Sequence, residues 1–456
     1  MSRELVRKLR IETPTFVSRF TSRATRCMVR SGAALGLCLA AAAWSESAAP
    51  TRPTQIAVDF VNTLNASMGL PVDAIAKKNK HIAGNAAHFL AATPALFYKD
   101  VRGPFASLAK LRGTNSPSGL LVGDAHLGNL MTFTDPATGG IVWGWVDLDK
   151  SGVGLLEWDL DRLATHVVIS ARLSETKFTS EDEHDLVAAV AAGYNRRMRH
   201  FLSKDMRPHA FLTREDMTGA LAAVSDKAAE KSQKKYIKKH TGDGAIENTT
   251  EPDDEEKAAL TGAIKDYGNR LPKDAPVARP LEILAMGIEA PSKGGSNSGL
   301  VKYLVLLAAD NRSHPAVLLK LKQLVPTALD GAELHNPIGA KAAENVSILR
   351  GFSDPMLGYA AMHGHPCLVT SMTAGRESLD PDKLNKTDFL ALAQSAGDAL
   401  ARSHLQDPSV HPDRVQAWVG DPATDVAALA KLEKFAVAYA DQSNADAKAL
   451  KKSLKE

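Results

Sequence analysis

The chain has 456 residues, of which 44% are hydrophobic and 23% charged, and its formal net charge is +3. This composition fits a globular protein with a sizeable core, and the length favours roughly two lobes of ~150–200 residues. Basic residues concentrate in positions 1–30, so the remaining body is slightly acidic and argues against a nucleic-acid-binding surface. Three cysteines without a CxxC pair argue against a disulfide framework.

The first 50 residues predict a targeting segment. A basic arm precedes the apolar run "SGAALGLCLAAAAW" (31–44), and small residues follow before Pro50. This order is typical of a cleaved signal or an N-terminal anchor, although the run is short for a membrane span. Met28 as the true start would shorten the basic arm. Export, with a transient contact of this segment with a membrane, and a cytoplasmic location both stay open, and so does the oligomeric state.

Residues 51–224 predict a first lobe that carries polar loops after strands. Apolar runs at 119–123 and 141–147 indicate strands, which flank the motif "GDAHLGN" and the turn "TDPATGG". Leu160, Leu163, Val167 and Ile169 recur at helical spacing and give a helix predicted over 158–172 a broad apolar face.

The rest of the chain divides by composition into three segments. Residues 225–279 carry a basic and then an acidic block, which favours a solvated helix or a mobile linker. Residues 280–384 predict paired strands in "GLVKYLVLLAAD" and "AVLLKLKQL", a helix over 338–352 and a strand in "PCLVTSM". Residues 385–456 predict helices at 386–406 and 424–441, which we expect to pack on the first lobe.

The motif after the first strand has the residues that phosphoryl transfer needs. Asp124 and Asn129 are five positions apart, and Asp147 ends the next predicted strand with Asp149 two residues later. A carboxylate positions or deprotonates an acceptor hydroxyl, and short oxygen ligands hold Mg²⁺ against phosphates. We therefore expect Asp124 to be the catalytic base, with His126 beside it, and Asn129, Asp147 and Asp149 to be metal ligands. Taken singly, an aspartate at the end of a strand is more often a residue that caps a turn.

The segment 280–384 contains the elements of a nucleotide-binding lobe. "GGSNSG" (294–299) precedes a strand, and its Gly294, Ser296 and Gly299 predict a loop that approaches phosphates through its backbone. Lys322 on the next strand is the predicted phosphate-binding lysine, although Lys320 shares its face by period-two alternation. Glu344, 22 residues later on a predicted helix, is the expected partner of that lysine.

These motifs resemble known families. "GDAHLGN", "VDLD" and "WDLDRLA" are similar to the loops of aminoglycoside phosphotransferases and choline kinases. They are closer still to the bacterial domain-of-unknown-function family 2252, through "FYKDVRG", "LLKLKQ", "FSDPMLGY", "LARSH" and "FAVAYADQ", over about residues 75–446. The kinase resemblance implies a two-lobed α+β fold, ATP and Mg²⁺, with Asp124 at the position of the catalytic aspartate. The bacterial family carries no settled activity, so the chemistry has to be argued from the residues.

The order of the motifs departs from that of a standard kinase. The catalytic loop precedes the Gly-rich segment, and the helix ending in "ARSH", which resembles the one that leads into such a loop, comes near the C-terminus. A circular permutation explains these displacements, because chain termini often lie close together. We therefore predict an α+β, protein-kinase-like, circularly permuted two-lobed fold.

The predicted function is ATP- and Mg²⁺-dependent phosphoryl transfer to a small-molecule hydroxyl acceptor. Lys150 and Gln323 stand where the bacterial family prefers glutamate, which keeps a nucleotide-binding, pseudokinase-like protein as one alternative. A second alternative is a hydrolase whose metal is held by Asp124, His126, Asp147 and Asp149. A third is an exported binding protein, because the periplasm lacks ATP.

Overall fold

Helices and β-strands share the chain, which confirms the α+β class. The computed structural model describes residues 49–113, 116–135, 138–204, 207–241, 245–289, 295–310, 316–329, 334–352 and 354–455. The predicted targeting segment (apart from positions 49 and 50) and Gly294 lie outside the described residues. In the described ranges, no helix combines the length and the apolar character needed to cross a membrane.

The first part of the fold consists of four helices followed by two short antiparallel strand pairs. The helices are α1 (Thr54–Ser67), α2 (Val72–Ile82), α3 (Ala86–Ala92) and α4 (Pro94–Asp100). Strand β1 (Ser118–Leu121) pairs with β4 (Gly152–Leu155), and β2 (Leu130–Thr134) pairs with β3 (Ile141–Trp145). The "GDAHLGN" loop therefore connects β1 to β2, and the "VDLD" segment connects β3 to β4.

A bundle of long helices encloses the largest hydrophobic core. Its members are α5 (Leu156–Leu173), α6 (Ser180–Lys204), α11 (Lys386–His404), α12 (Pro412–Val419) and α13 (Asp425–Ser453). Helices α6 and α11 touch through their backbones: a Cβ added at Gly193 would lie 2.0 Å from the carbonyl oxygen of Gln394, and one at Gly397 would lie 2.1 Å from that of Val190. Only glycine allows this approach, which fixes α11 against the bundle.

The second part is a six-stranded antiparallel sheet with the order β5-β6-β7-β8-β10-β9. The strands are β5 (Thr249–Thr250), β6 (Ile283–Glu289), β7 (Lys302–Ala308), β8 (Ala316–Gln323), β9 (Gly358–Met362) and β10 (His365–Ser371), and helix α10 (Gly339–Arg350) connects β8 to β9. Lys302 is paired with Lys322 across β7 and β8, and Leu304 with Lys320. Directly paired residues share a face of a sheet, so all three lysines point to one side.

The charged stretch between the two parts is folded into three helices. These are α7 (Gly219–Ala229), α8 (Gln233–His240) and α9 (Asp254–Gly268). Helix α9 buries Leu260, Ile264 and Tyr267 in a core cluster with the face of the sheet opposite the lysines. The interpretation of this stretch as a solvated helix or mobile linker is therefore wrong for α9. Its few apolar residues recur at helical spacing, and that stripe packs on the sheet.

Candidate functional site

The loop between β1 and β2 begins with a close backbone contact. Gly123 has φ +85°, and a Cβ at this position would lie 2.0 Å from the carbonyl oxygen of Lys150. Both the backbone conformation and the contact require glycine. As a result, the loop that carries Asp124 lies directly against the segment that follows Asp147 and Asp149.

Asp124 is buried, with 5% of the residue exposed, and a guanidinium holds its carboxylate. Arg162 on α5 donates to Oδ1 through Nε at 3.2 Å and through Nη2 at 2.5 Å. Asn129 fixes the other end of the loop, because its Nδ2 donates to the backbone oxygen of Asp124 at 3.1 Å. The carboxylate is therefore oriented by a charged pair of hydrogen bonds before any substrate binds.

A second acid, Asp159 on α5, binds the turn that precedes Asp124. The carboxylate of Asp159 accepts from the backbone N–H of Val122 at 2.6 Å and from the hydroxyl of Tyr98 at 2.5 Å. Its Oδ2 also lies 3.1 Å from Nε2 of His404, at the end of α11. Asp159 and Arg162 are three positions apart on one helical face, so α5 supports both the start and the carboxylate of the loop.

Sequence reasoning missed these supporting roles. "WDLDRLA" and "LARSH" were recognised as motifs, but nothing in their spacing shows that Asp159, Arg162 and His404 converge on the loop. The available signal was the presence of charged residues on an otherwise apolar helix, because such residues are seldom buried without a partner.

His126 lies in a buried environment beside Asp124. Its Nε2 is 3.7 Å from Asp124 Oδ2, beyond hydrogen-bond distance, and its ring stacks on His166 at 5.2 Å between centroids. Burial lowers the pKa of His126, and Asp124 opposes this only in part. Burial also lowers the pKa of His166, and the neighbouring His126 adds to the effect. Both rings are therefore neutral near pH 7.

Asp147, after β3, and Lys322, on β8, form an ion pair between the first part of the fold and the six-stranded sheet. Nζ of Lys322 donates to Asp147 Oδ1 at 2.6 Å and lies 3.3 Å from Asp149 Oδ2. Burial alone would lower the pKa of Lys322, but Asp147 and Asp149 outweigh it and raise that pKa. The side chain of Asp147 remains 47% exposed, so a ligand can reach it.

Asp149 has a different position from Asp147. Its side chain is 1% exposed, and Oδ2 accepts from Nζ of Lys150 at 2.6 Å. Burial favours the neutral acid, yet Lys150 and Lys322 hold the pKa of Asp149 well below its usual range. Asp149 is therefore a buried anion that pairs with two lysines. It is not among the residues that line the cleft at Asp147.

The Gly-rich turn meets the same segment. Lys150 Nζ donates to Asn297 Oδ1 at 2.8 Å, and Asn297 Nδ2 donates to the backbone oxygen of Gln323 on β8 at 3.0 Å. The Ser296 hydroxyl donates to Asn297 Oδ1 at 3.0 Å, and Gly299, with φ +86°, packs on Leu70. The turn thus lies beside the "VDLD" segment, but Ser296 and Gly299 contact other residues of the protein there.

Lys320 and Glu344 of the predicted nucleotide lobe pair with residues other than the predicted ones. Nζ of Lys320 donates to Glu289 at 2.8 Å, so Lys322 is the lysine that reaches the "VDLD" segment. Glu344 does not reach either lysine: its side chain is 59% exposed and accepts from Lys341 at 3.0 Å. The prediction that Glu344 holds Lys322 is therefore wrong. The helix was placed correctly, but its phase turns Glu344 to solvent and Val346 and Arg350 toward the cleft.

These residues line a cleft of about 260 Å³ between the β2–β3 hairpin and the lysine face of the sheet. Its wall includes Asn129 and Asp147, two of the three expected metal ligands. It also carries five cationic side chains against the single carboxylate of Asp147: Lys302, Lys320, Lys322, Arg350 and Arg376. Such an excess of positive charge attracts a multiply charged anion.

The four side chains of the hydrolase alternative do not form a metal site. Arg162 binds the carboxylate of Asp124, and Lys150 and Lys322 bind the carboxylate of Asp149. In the described part of the chain, no three His, Cys, Asp or Glu side chains converge as metal ligands. Asn129 and Asp147 fit a Mg²⁺ ion that receives its remaining ligands from phosphates and water, which is how Mg²⁺ is usually held.

Residues 72–453 match the model of a family described as an uncharacterized protein conserved in bacteria (DUF2252). The match covers most of the chain, which therefore belongs to this family. No curated protein and no solved structure matches it.

Proposed function

We propose that this member of the DUF2252 family is an ATP- and Mg²⁺-dependent phosphotransferase with a circularly permuted, kinase-like fold, and that it acts on a hydroxyl group of a small molecule. The observation that carries the proposal is the Lys322–Asp147 ion pair on the wall of the cationic cleft, with Asn129 beside it. An amide and a carboxylate oxygen facing several cations suit a magnesium-bound polyphosphate.

Each residue has a distinct role in this reaction. Asn129 and Asp147 would hold Mg²⁺, which supplies charge neutralisation at the phosphates when it is bound. Lys322 would then move from Asp147 to a phosphate oxygen. Asp124 would accept the proton of the acceptor hydroxyl while the new P–O bond forms, and ADP would leave with the electrons of the broken bond.

The arginine on Asp124 is compatible with this role. A carboxylate paired with Arg162 is a weak base, but a loose transition state places little demand on basicity. The acceptor hydroxyl mainly needs to be oriented in line with the transferred group. Two hydrogen bonds from Arg162 hold the carboxylate in one rotamer, which favours orientation over proton affinity.

The contacts at the end of α11 support the permutation. Besides His404 at Asp159, Asp407 accepts from the backbone N–H of Leu120 on β1 at 2.6 Å. A helix that leads directly into the catalytic loop in an unpermuted chain would end at this place. The Gly-rich turn before β7, Lys322 on β8 and the following helix α10 also keep the order expected of a nucleotide lobe.

The test is a calorimetric titration of Mg·ATP into the wild type and Asp147→Asn, with Asp73→Asn as control. Asp73 is an exposed acid on α2, with 77% of its side chain accessible, and has no contact with the cleft. We expect saturable binding that requires Mg²⁺ in the wild type and the control, and a loss of about 100-fold or more in Asp147→Asn. Equal affinities in all three proteins would refute the metal assignment.

One observation favours nucleotide binding without turnover as a second candidate. Asp124 is only 5% exposed and already has a charged partner. Release of inorganic phosphate from ATP, measured with the same samples, separates the two. Binding that depends on Asp147 with no hydrolysis or transfer would assign the protein to the non-catalytic class.

A further inference from the structure

A second cavity opens beside the cationic cleft. It has a volume of about 80 Å³ and shares Val146, Arg350 and Arg376 with the cleft. Its other lining groups are aromatic, hydroxyl or acidic: Phe133, Phe352, Thr134, Ser371, Thr373 and Asp354. A water molecule has a share of roughly 30 Å³ in the liquid, so this cavity has room for a few non-hydrogen atoms.

The two shared arginines are poorly neutralised. Arg350 donates to the backbone oxygen of Val146 at 3.3 Å, and its nearest carboxylate, on Asp354, is 3.9 Å away. Arg376 is exposed into the cleft, and no acceptor in the described residues lies within hydrogen-bond distance of its guanidinium. Burial and the nearby Arg376 lower the pKa of Arg350 to about 10, against the opposing effect of Asp354 and Asp147.

Two other buried arginines, Arg52 and Arg162, each form hydrogen bonds to carboxylates. Arg52 donates to both Asp100 and Asp446, and Arg162 donates to Asp124. Two guanidiniums close to each other without such a partner repel one another, so they cost free energy until an anion binds between them. Their position at the junction of two cavities suits a ligand that enters both.

We propose that Arg350 and Arg376 bind an anionic group, phosphate or carboxylate, on the acceptor itself. The acceptor would then be a small hydroxylated molecule with its own negative charge, a specificity that deepens the function proposed above and rests on it. The anion would lie at the junction, and part of the organic body would contact Phe133 and Phe352.

The location separates this anion from the nucleotide phosphates. Arg350 is bonded to the carbonyl of Val146, immediately before Asp147, so the arginine pair lies on the side of the metal ligand that faces the second cavity. Lys302, Lys320 and Lys322 lie on the sheet, outside the second cavity. The two groups of cations can therefore hold two different anions at once.

The experiment is a titration of inorganic phosphate, and separately of acetate, into the wild type with and without a saturating non-hydrolysable ATP analogue and Mg²⁺. The variants are Arg376→Gln and Arg350→Gln, and Arg214→Gln is the matched control, because Arg214 is exposed and paired only with Asp226. Thermal unfolding without added anion checks that all variants are folded.

We expect wild type and Arg214→Gln to bind phosphate or acetate with the analogue present, and each cleft variant to bind at least tenfold more weakly. The anion that binds more tightly identifies the group carried by the acceptor. Unchanged affinity in folded Arg376→Gln, no saturable binding to the wild type, or displacement of the anion by the analogue would overturn the proposal. Anion binding that depends on Arg376 in a protein that binds no nucleotide would keep the anion site and reject the phosphotransferase.

Discussion

The cleft has two walls that differ in how completely their charges are paired. The loop wall, residues 122–129 with their supports on α5, reaches the cleft through Asn129 and has a partner for the carboxylates of both Asp124 and Asp159. The sheet wall consists of Lys302, Lys320 and Lys322 on the sheet, with Arg350 of α10 and Arg376 beside them. These five cations share the acids Asp147, Asp149, Glu289 and Asp354. The loop wall is thus organised without a ligand, whereas the sheet wall still lacks counter-charge. We infer that the first orients a reacting group and the second captures an anion.

The largest effect is expected from removing the charge at the centre of the loop wall. Asp124→Asn should lower turnover by about 10²- to 10⁴-fold, the usual contribution of a general base, and largely spare Mg·ATP affinity. Phosphate transfer, or residual ATP hydrolysis, measures the first and calorimetry the second.

His126→Ala is the comparison for that variant, since His126 contributes packing beside Asp124 but no hydrogen bond to it. It should lower activity only partially. Full activity in Asp124→Asn together with an inactive His126→Ala would reverse the assignment of the base and revive the hydrolase alternative.

Arg162 binds the carboxylate of Asp124, and its replacement should lower stability more than that of any other loop-wall residue. Arg162→Met leaves a buried carboxylate without its counter-ion, which we expect to lower the free energy of unfolding by about 3–5 kcal/mol. Arg172→Met on the same helix is the control. Arg172 is 33% exposed, and its pairs with Glu183 and Asp441 should contribute about 1 kcal/mol or less. Equal losses in urea unfolding would show that the loop wall is not held by this pair.

The sheet wall can be tested with Lys322 and Glu344, which the sequence predicts as partners but which pair with other residues in the structure. Lys322→Met should weaken Mg·ATP binding about tenfold or more, because a charged hydrogen bond to phosphate is lost. Glu344→Gln should change neither affinity nor stability by more than about 0.5 kcal/mol, since its partner Lys341 is a surface residue. A strong defect in Glu344→Gln would mean that α10 rotates when nucleotide binds.

A separate expected effect is a pH dependence of stability at the Gly-rich turn. Nζ of Lys78 donates to the backbone oxygen of Ser296 at 2.7 Å, and burial together with Lys150 lowers the pKa of Lys78 from 10.5 to about 7. Between these values the unfolded chain binds a proton that the folded protein does not, so this group makes stability increase with pH. The slope is at most about 1.4 kcal/mol per pH unit. Urea unfolding of wild type and Lys78→Met at pH 7, 8 and 9 should show this slope only in the wild type, and parallel curves would contradict it.

Local patterns were sufficient for much of the site. Strand-end polar residues at fixed spacing placed Asn129 and Asp147, and period-two alternation placed Lys320 and Lys322 on one face. Neither inference needs long-range contacts, because each follows from the geometry of a single strand or turn. The prediction for Glu344 was wrong because a helix advances 100° per residue. Packing decides which face of the helix meets the cleft, and the spacing to a distant lysine does not.

The sequence by itself determined the α+β class, the position of the "GDAHLGN" loop after β1 and the helices α5, α10 and α11, since these depend on composition and short-range periodicity. Only the tertiary structure decided that α9 packs on the sheet, that Arg162, Asp159 and His404 support the loop, and that Arg350 and Arg376 line the same two cavities. Those facts depend on contacts between segments far apart in the chain, and a single sequence carries no record of which buried charge lies opposite which.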